Sequence, residues 1–396
     1  MAEAALTVWT RLEKMAKNCK ILELCLSDGQ GGLELYVVKI IAQLRLRGHT
    51  VYSITRRGTY LSNALRGEWN VDTARPNVFT FWPTAKSLVQ IIERKQIEVL
   101  RVNWGHDLPL ACAVKSLCDR SIKLIYSRHM RLTRRKKDPY HRLLYRQVDL
   151  FTAITNNLLK EARQFLPMDG TKMALLRYGI TPATPVENCK RFLEAHHLKP
   201  QSFTVGCFSR LEYAKGQHLL VEAIKHLTSK GIECQALIVG HVMDQAYYNV
   251  LQSSVSVSNL GKQIHFMNFV TDPMKIMSCL DVLVLTTYEE TFGLVLAEAM
   301  LMGTAVMGTK AGGVPEIIAH ESTGLLFESG NPADLAQGLE RLYRDPQLRQ
   351  RIARRGKKRA RETYSDEKHL QSLESYLSRL CDNATGSYPG ERQGMS

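Results

Sequence analysis

The sequence predicts an α/β protein of two domains, each with a mostly parallel sheet covered by helices. Three observations support this prediction. Short apolar segments of strand type alternate with segments of helical periodicity, and this alternation occurs in two successive series. The chain of 396 residues is also longer than the chains that usually fold around a single hydrophobic core. The hydrophobic fraction of 44% and the charged fraction of 23% are typical of globular proteins. No apolar run approaches the ~20 residues of a membrane-spanning helix.

The first series of strand-type segments begins at Lys20. Helical patterns separate most of its members, and the first helix should end at Gly48, because glycine commonly terminates helices. The strand-type segments are ILELC, HTVYSIT, NVFTF, IEVLRVN, IKLIYS, DLFTAIT and KMALLR. Strands that alternate with helices usually pair in parallel, with helices on both faces of the sheet.

The second series repeats this pattern after a stretch with prolines and lysines, residues 181–201. Its strand-type segments are FTVGCF, QALIVG, QIHFM, DVLVLT, TAVMG and GLLF. Two Rossmann-like domains that face each other across a cleft are therefore expected. We predict an N-terminal extension, two domains, a final helix and a disordered tail over residues 1–19, 20–185, 195–363, 364–381 and 382–396.

The most informative stretch is YEETFGLVLAEAM, which directly follows the strand-type segment DVLVLTT. Helical spacing of apolar residues ends at Gly303, so Glu290 is expected in the loop at the carboxyl end of a strand and Glu298 in the helix. Eight residues of helix would place both carboxylates on one side, ~12 Å apart along the axis. Such a pair could hold two separated hydroxyl-bearing ends of an extended ligand.

The start of this helix should bind an anion between the two carboxylates. Its first backbone amides, at Phe292, Gly293 and Leu294, have no acceptor within the helix. A nucleotide sugar has the matching form, with a ribose, a diphosphate and a sugar ring. Two surface acids on an ordinary amphipathic helix are the alternative, and the FGL insert and the downstream GGVPE sequence argue against it.

Glu290 to Glu298, followed by AGGVPEII, resembles the signature of glycosyltransferase family 4, retaining enzymes of the GT-B fold. The resemblance extends from about Lys20 to Leu380. It implies an N-terminal acceptor domain, a C-terminal nucleotide-sugar domain and a final helix that crosses back onto the first domain. It also implies a donor-binding set comprising Gly31, Gly32, Ser209, Arg210, Lys215, Glu290, Thr291, Phe292, Gly293, Leu294 and Glu298.

Two cations follow the first strand of the second series. Arg210 and Lys215 form the R-x4-K-G pattern that the family uses to bind the diphosphate. The helix dipole disfavours positive charge at this place, which argues against two incidental surface cations. Because no Asp-x-Asp occurs in the sequence, fixed cations and helix amides should stabilise the leaving group, and we expect neither a metal nor another cofactor.

The glycines after the first strand form a second candidate site. In the family, the position of Gly31 and Gly32 lets the backbone approach the donor. A dinucleotide fingerprint is the competing interpretation, but Glu34 stands where its last glycine belongs and no acid ends the second strand. A purely structural turn is an equally good explanation of these glycines taken alone.

His129 follows the strand-type segment IKLIYS, at the carboxyl end where ligands of open α/β sheets bind. A single histidine is more often structural. The resemblance, however, places a histidine near the transferred sugar after the corresponding strand, and His106 is a weaker candidate of the same kind. We therefore name Arg210, Lys215, Glu290 and His129 as the catalytic residues.

Positive charge is concentrated in the first half of the chain. The net charge is +15, and residues 1–200 hold 33 Lys and Arg against 17 Asp and Glu. The basic segment comprises Arg128, Arg131, Arg134, Arg135, Lys136, Lys137, Arg142 and Arg146, with aromatic and aliphatic residues between them. Such a segment is typical of proteins that bind anionic membrane surfaces, and an ordinary solvated face is the alternative. No nucleic-acid-binding motif accompanies it.

Nine cysteines without a C-x-x-C pair predict reduced core residues, with neither a disulfide framework nor a zinc site. The N-terminus lacks the features of a secretory signal. A cytoplasmic enzyme at the inner face of the membrane is expected. It would transfer a sugar with retention, without a metal, from a nucleotide-sugar donor (a UDP-sugar) to a glycolipid or lipopolysaccharide-core hydroxyl.

Three departures from the family pattern concern the nucleobase. Thr286 and Thr287 replace a proline-serine pair, Asn268 replaces a glycine and Tyr178 replaces an asparagine. Three alternative functions remain: a transferase acting on a soluble sugar or glucan, a UDP-sugar epimerase of the same fold, and a non-enzymatic nucleic-acid binder. Activity on a soluble acceptor, product analysis without acceptor and salt-titrated binding would distinguish them.

Overall fold

A computed structural model describes residues 18–382, which divide into two compact units. Of these described residues, the first unit contains 18–177 and 369–382, and the second is Tyr178–Lys368. Nearly all of the predicted extension over 1–19 and of the predicted tail over 382–396 lies outside the described residues. The fold class is confirmed, because each unit is a parallel sheet with helices between its strands.

The sheet of the first unit has seven parallel strands in the order β3-β2-β1-β4-β5-β6-β7. They are β1 Lys20–Cys25, β2 Thr50–Arg56, β3 Asn70–Thr73, β4 Val99–Val102, β5 Lys123–Arg128, β6 Leu150–Ala153 and β7 Met173–Leu175. Strand order reverses between β1 and β4, the place where ligands of such sheets usually bind. The central strands are buried on both faces, so their residues are mostly apolar, and the charged exceptions Glu23 and Arg101 are buried as well.

Six helices connect these strands. They are α1 Gly32–Leu46, α2 Tyr60–Ala64, α3 Phe81–Lys95, α4 Leu108–Leu117, α5 Pro139–Arg146 and α6 Asn156–Phe165. Side chains fix several of their first turns: Asp138 accepts a hydrogen bond from the His141 amide, and Thr155 accepts one from the Leu158 amide.

The third strand of the first series was predicted at the wrong place. In the segment NVFTF, residues 77–80 form a turn and Phe81 is the first residue of α3, whereas β3 lies earlier, at Asn70–Thr73. The cause is Asn77, whose side-chain oxygen accepts hydrogen bonds from the amides of Phe79 and Thr80. This local bonding offers the backbone an alternative to a sheet, and Val78 and Phe79 stay exposed.

The sheet of the second unit has six parallel strands in the order β10-β9-β8-β11-β12-β13. They are β8 Phe203–Phe208, β9 Cys234–Val239, β10 Ile264–Met267, β11 Val282–Leu285, β12 Ala305–Thr309 and β13 Leu325–Phe327. The helices that follow in chain order are α7 Cys189–Ala195, α8 Gln217–Ser229, α9 Gln245–Val257, α10 Pro273–Met277, α11 Leu294–Met302, α12 Val314–Ile317, α13 Pro332–Arg344, α14 Pro346–Thr363 and α15 Asp366–Cys381.

From His369 onward, α15 packs within the first unit. His369 lies with its Nδ1 2.6 Å from the carbonyl oxygen of Arg177, and the Tyr376 hydroxyl donates to the carbonyl of Leu175. Arg47 pairs with Glu374 at 2.9 Å. The buried face of this helix repeats every three or four residues, as an amphipathic helix requires.

The cysteines are not all reduced as predicted. A disulfide joins Cys189, the first residue of α7, to Cys279, two residues after α10. The other seven form no disulfide, and five of them are buried. Ninety residues separate the bonded pair, so only the tertiary fold brings the two sulfurs together. None of the helices between residues 18 and 382 is long and apolar enough to span a membrane.

Candidate functional site

The candidate residues of the second unit lie in three loops that follow neighbouring strands. The loops follow β8, β11 and β12, and these strands are adjacent and parallel in the sheet. Parallel strands present their carboxyl ends at the same edge, so loops far apart in sequence meet there. Ser209, Arg210 and Lys215 come from the first loop, and Glu290 and its neighbours from the second.

Lys215 and Glu290 form an ion pair at the centre of these loops. The Nζ of Lys215 lies 3.1 Å from Oε2 of Glu290, and the side chains are only 16% and 22% exposed. The other carboxylate oxygen, Oε1, accepts a hydrogen bond of 3.1 Å from the Thr291 amide. Because an ammonium group has three donors, Lys215 can keep this partner and still bind an anion.

The two glycines of AGGVPEII hold the Glu290 loop at close range. A Cβ on Gly312 would lie 1.9 Å from the carbonyl oxygen of Glu290, and one on Gly313 would lie 2.2 Å from that of Thr291. Gly312 also has a φ of +56°, which favours glycine. The Gly313 amide donates to the Glu290 carbonyl at 2.8 Å. Glycine at both positions therefore fixes the backbone that carries Glu290.

Thr286 and Thr287, departures from the family pattern, connect two of the loops. Both are fully buried. The Thr286 hydroxyl donates to the carbonyl of Lys215 at 2.7 Å. The Thr287 hydroxyl shares its one proton between the carbonyls of Glu289 at 2.9 Å and Ala214 at 3.2 Å. Gly216, with a φ of +66°, allows this approach, because a Cβ there would meet the Thr286 carbonyl oxygen at 2.4 Å. The threonines thus position the backbone of Lys215, a role that the sequence did not reveal.

Arg210 is more exposed than Lys215. Its side chain is 58% exposed, and its guanidinium lies 3.0 Å from Glu212. Its backbone is held by Gln217, which is fully buried and whose amide nitrogen donates to the Arg210 carbonyl at 2.7 Å and to the Ser209 hydroxyl at 2.9 Å. Sequence reasoning missed Gln217, although a polar residue just after the glycine that opens a helix was a usable signal.

The two acids of the central motif are not related by a continuous helix. Because α11 begins at Leu294, Glu290 lies before it and only Glu298 is helical, so the predicted separation of ~12 Å along one axis does not apply. Gly293 is the N-cap, with a φ of +94°. Phe292 is buried, and its ring meets that of Tyr178 edge-on at 5.3 Å. Tyr178, another departure from the family pattern, therefore packs against the loop before α11.

The region expected near the nucleobase carries an exposed aromatic pair. Asn268 follows β10 and is exposed. The next residue, Phe269, stacks on His241 with ring centroids 4.8 Å apart and planes 3° from parallel. His241 follows β9, the neighbour of β10 in the sheet, so the pair lies at the same sheet edge as the three loops.

In the first unit, Glu34 organises the glycine turn after β1. Its carboxylate accepts hydrogen bonds from the Gly31 amide at 2.8 Å and from the Ser27 hydroxyl at 2.5 Å. A Cβ on Gly29 would lie 2.9 Å from the same carboxylate, whereas one on Gly32 would meet nothing within 4 Å. The residue that breaks the dinucleotide fingerprint is thus the one that stabilises this turn, and Gly32 faces open space.

His129 follows β5 and sits on a buried polar network. Its Nε2 lies 3.4 Å from the side-chain oxygen of Asn103, whose nitrogen donates to Glu23 at 2.6 Å. Arg101, fully buried, pairs with the other oxygen of Glu23 at 2.9 Å. Burial, followed by the positive charge of Arg101, lowers the pKa of His129 well below its ordinary value, so its imidazole is neutral near pH 7. Charged residues inside strand-type segments were the sequence signal for this network.

Asp107 is a further buried acid at this edge of the first sheet. It lies at the end of a short helical turn after β4, and its carboxylate accepts a hydrogen bond of 2.8 Å from the Leu26 amide. Burial raises the pKa of Asp107 to about 7. His106, its neighbour, is exposed and its ring lies 4.6 Å from that of Trp104. Sequence reasoning named His106 and missed Asp107.

No group of three or more His, Cys, Asp or Glu side chains is arranged to hold a metal ion within residues 18–382. Around the Lys215–Glu290 pair, the candidate residues supply two cations, the backbone amides at the start of α11 and the carboxylate of Glu290. This set can bind an anion and orient hydroxyl groups. Metal independence itself stays a prediction.

Comparison with known proteins identifies the family. Residues 30–184 match the model of Glycosyltransferase Family 4, and residues 190–359 match that of Glycosyl transferases group 1. The N-acetyl-alpha-D-glucosaminyl L-malate synthase of Bacillus anthracis is 23% identical over 90% of this chain and 96% of its own. The lipopolysaccharide core biosynthesis mannosyltransferase LpcC of Rhizobium leguminosarum is 25% identical over 73% and 81%.

A solved structure agrees on the fold. Anabaena HepE in complex with UDP has a TM-score of 0.79 and 22% identity, with 91% of this chain and 99% of the other covered. The two family models, both of glycosyltransferases, together cover most of both units. The protein is therefore an enzyme that belongs to the glycosyltransferases of family 4, with the Rossmann-like units of the GT-B class.

Proposed function

We propose that this enzyme transfers a sugar, with retention of anomeric configuration and without a metal, from a UDP-sugar to a hydroxyl of a membrane-associated glycolipid or lipopolysaccharide-core acceptor. The observation that carries the donor half of the proposal is the Lys215–Glu290 ion pair, braced by two glycines and two buried threonines. Such a fixed cation beside a fixed carboxylate suits a ligand whose diphosphate adjoins a sugar.

The site must first stabilise the negative charge that develops on the departing diphosphate. Lys215 and Arg210 would stabilise it, together with the amides at the start of α11, which lack acceptors within the helix. Glu290 would accept hydrogen bonds from sugar hydroxyls, and Glu298 would bind the ribose. The donor-binding set also includes Gly31, Gly32, Ser209, Thr291, Phe292, Gly293 and Leu294.

Retention follows from a front-face reaction. The leaving phosphate takes the proton of the attacking acceptor hydroxyl, so no covalent nucleophile on the protein is required. A neutral His129 supports this role, because an uncharged imidazole can orient a sugar hydroxyl without repelling the positive charge that develops on the sugar. Its partners Asn103, Glu23 and Arg101 hold it in place.

Uridine as the base is supported by the fold-level likeness to HepE, which was solved with UDP. The stacked pair His241 and Phe269 offers an aromatic face at the sheet edge that bears the donor loops. The acceptor half is supported by the likeness to LpcC, a lipopolysaccharide core mannosyltransferase.

Membrane association at the inner face of the cytoplasmic membrane is supported by the basic segment, although not all of its cations are available. Arg128 donates to the carbonyls of Met130 and Arg131, Arg131 pairs with Glu161, and Lys136 is half-buried. The exposed cations are Arg134, Arg135, Lys137, Arg142 and Arg146. At about 1 kcal/mol for each cation near an anionic leaflet, these five are enough for reversible binding.

The decisive experiment is a screen of nucleotide sugars without acceptor, in the presence and absence of EDTA. We expect slow release of sugar from a UDP-sugar that EDTA does not affect, and transfer to a rough lipopolysaccharide acceptor with an α-linked product by proton NMR when the donor sugar is α-linked. Inverted products, EDTA-sensitive turnover or preference for a soluble acceptor would each contradict the corresponding part of the proposal.

A further inference from the structure

A cationic cavity lies in the first unit, apart from the candidate functional site. Its volume is about 630 Å³. Five cations and one tyrosine define it for the present purpose, and they are Lys137, Arg142, Arg146, Arg163, Lys172 and Tyr145. We call it the phosphate cavity. Its volume lies within the range of about 300–1,000 Å³ in which proteins bind small molecules.

The phosphate cavity lies at the amino-terminal edge of the sheet. Lys172 directly precedes β7, Arg146 ends the helix that leads to β6, and Arg163 lies in the last turn of α6. Lys137 is brought there because its neighbour Lys136 donates its amide to the carbonyl of Phe165 at 2.9 Å.

His129 and the glycine turn follow the carboxyl ends of their strands, at the opposite edge. At about 3.3 Å per residue, the six residues of β5 separate the two edges by roughly 20 Å. The phosphate cavity is therefore distinct from the candidate site of the same unit.

Positive charge in the cavity greatly exceeds negative charge. One carboxylate, that of Asp169, lines the wall. It is engaged by the Thr171 amide at 2.9 Å, and this hydrogen bond lowers the pKa of Asp169. Five exposed cations line this one concave surface, so an anion bound there would reduce their mutual repulsion. The side chain of Arg142 is held in position, since its Nε donates to the carbonyl of Lys137 at 2.9 Å.

Tyr145 forms part of the inner wall of the cavity. Its side chain is only 2% exposed, and its hydroxyl is buried without a hydrogen-bond partner in the part of the chain that the structure describes. Apart from burial, the groups that act on the pKa of Tyr145 are Tyr126, Arg128 and Cys112, none of which is a cation of the cavity. The ring of Tyr145, and not its hydroxyl, therefore borders the cavity.

We propose that this cavity binds a phosphate group carried on a larger molecule, either the headgroup of an anionic lipid or a soluble phosphorylated compound. Three of the five cations are arginines, whose planar guanidinium groups bind phosphate oxygens in pairs. Leu166, Pro167 and Met168 form a wall of low polarity that suits the uncharged part of such a molecule. The site is separate from sugar transfer, so its failure would leave the proposed transferase function intact.

Titration calorimetry of the full-length enzyme with inorganic pyrophosphate tests the proposal. Saturating uridine diphosphate is present throughout to occupy the donor site. The first test variant combines Arg163→Gln with Lys172→Gln. A second test variant combines Lys137→Gln with Arg146→Gln and removes two other cations of the same cavity. The matched control is Arg134→Gln with Arg135→Gln, because these exposed cations of the basic segment carry the same charge but do not line the cavity.

We expect wild type and control to bind one pyrophosphate, and each cavity variant to bind at least ~10-fold more weakly, since each lost charge-assisted hydrogen bond weakens binding by about that factor. Equal losses in control and cavity variants, or no binding by wild type, would overturn the proposal. Binding of the enzyme to vesicles with and without phosphatidylglycerol distinguishes the two sources of the phosphate group, a lipid headgroup and a soluble compound. Only the Arg163→Gln, Lys172→Gln variant is used for this comparison, because it leaves the basic segment intact. A lipid headgroup is the ligand if this variant also loses vesicle binding, and a soluble phosphate compound is the ligand if it keeps it.

Discussion

The Nζ of Lys215 lies 3.1 Å from Oε2 of Glu290, although 75 residues separate the two in the sequence. The two side chains come from loops after β8 and β11, which are neighbours in the second sheet. Their mutual position is set by Thr286 and Thr287 on one side and by Gly312 and Gly313 on the other. An ion pair braced in this way keeps its geometry before any ligand arrives, which is what electrostatic stabilisation of a leaving group requires.

A double-mutant cycle tests whether this pair acts as a unit. Lys215→Ala and Glu290→Gln should each lower kcat by at least ~10²-fold, and the double variant should lose less than the product of the two. The measurement is kcat and KM for the donor in all four enzymes. Lys225→Ala, which removes an exposed lysine paired with Glu222, is the control and should leave both constants unchanged. Strictly multiplicative losses would show that the two residues act separately.

Arg210 should matter for turnover more than for stability. Its side chain is largely exposed and pairs with nearby Glu212, so Arg210→Ala should leave the free energy of unfolding within about 0.5 kcal/mol of wild type. If it stabilises the diphosphate, kcat should fall by at least ~10²-fold. Denaturant titration and steady-state kinetics measure the two effects. Near-normal turnover of the variant would remove Arg210 from the proposed mechanism.

Gly312 should tolerate no side chain, and the chain offers a matched control. Gly312 and Gly231 both have positive φ, but a Cβ on Gly312 would lie 1.9 Å from the Glu290 carbonyl oxygen, whereas one on Gly231 would meet nothing within 4 Å. Alanine at 231 should therefore cost about 1 kcal/mol for backbone strain alone, and alanine at 312 at least ~2 kcal/mol more. Chemical denaturation measures both. Equal losses in the two variants would contradict the steric argument.

Stability should depend on pH through Asp107. Burial raises its pKa from the ordinary 3.8 to about 7, so the folded protein binds this proton more tightly than the unfolded chain. The stabilisation is complete below about pH 4 and is lost as pH rises through about 7, by at most about 4 kcal/mol. Asp107→Asn removes the titration and keeps an acceptor for the Leu26 amide. The free energy of unfolding of wild type relative to this variant should fall between pH 5 and 8, and a constant difference would refute the prediction.

The Cys189–Cys279 disulfide should stabilise the second unit. It closes a loop of 90 residues, and replacing both cysteines by serine should lower the free energy of unfolding by about 2–4 kcal/mol. Thiol titration of the non-reduced, denatured protein should find seven free thiols, and nine after reduction. The Cys207→Ser variant, which removes a buried free cysteine, controls for the loss of a thiol. Nine thiols without reductant would show that the bond does not form.

Much of the site could be read from the sequence because its residues lie in local patterns. The alternation of strand, loop and helix in the sequence predicts that Arg210, Lys215 and Glu290 follow the ends of strands. In the structure, Arg210 and Lys215 follow β8 and Glu290 follows β11. What the sequence could not give is the set of contacts between segments. The hydrogen bonds from Thr286 and Thr287 run to residues more than 70 positions away, and the partner of Glu23 is Arg101, 78 positions away.

The sequence by itself determined two Rossmann-like series, the family and the loops that carry the candidate residues, because apolar periodicity and glycine positions are local properties of the chain. Only the structure decided that Asn77 turns the chain where a strand was predicted, that Cys189 meets Cys279 and that five cations line one cavity. The first follows from hydrogen bonds of the Asn77 side chain within one turn. The others depend on which strands and helices become neighbours, and non-local packing alone settles that.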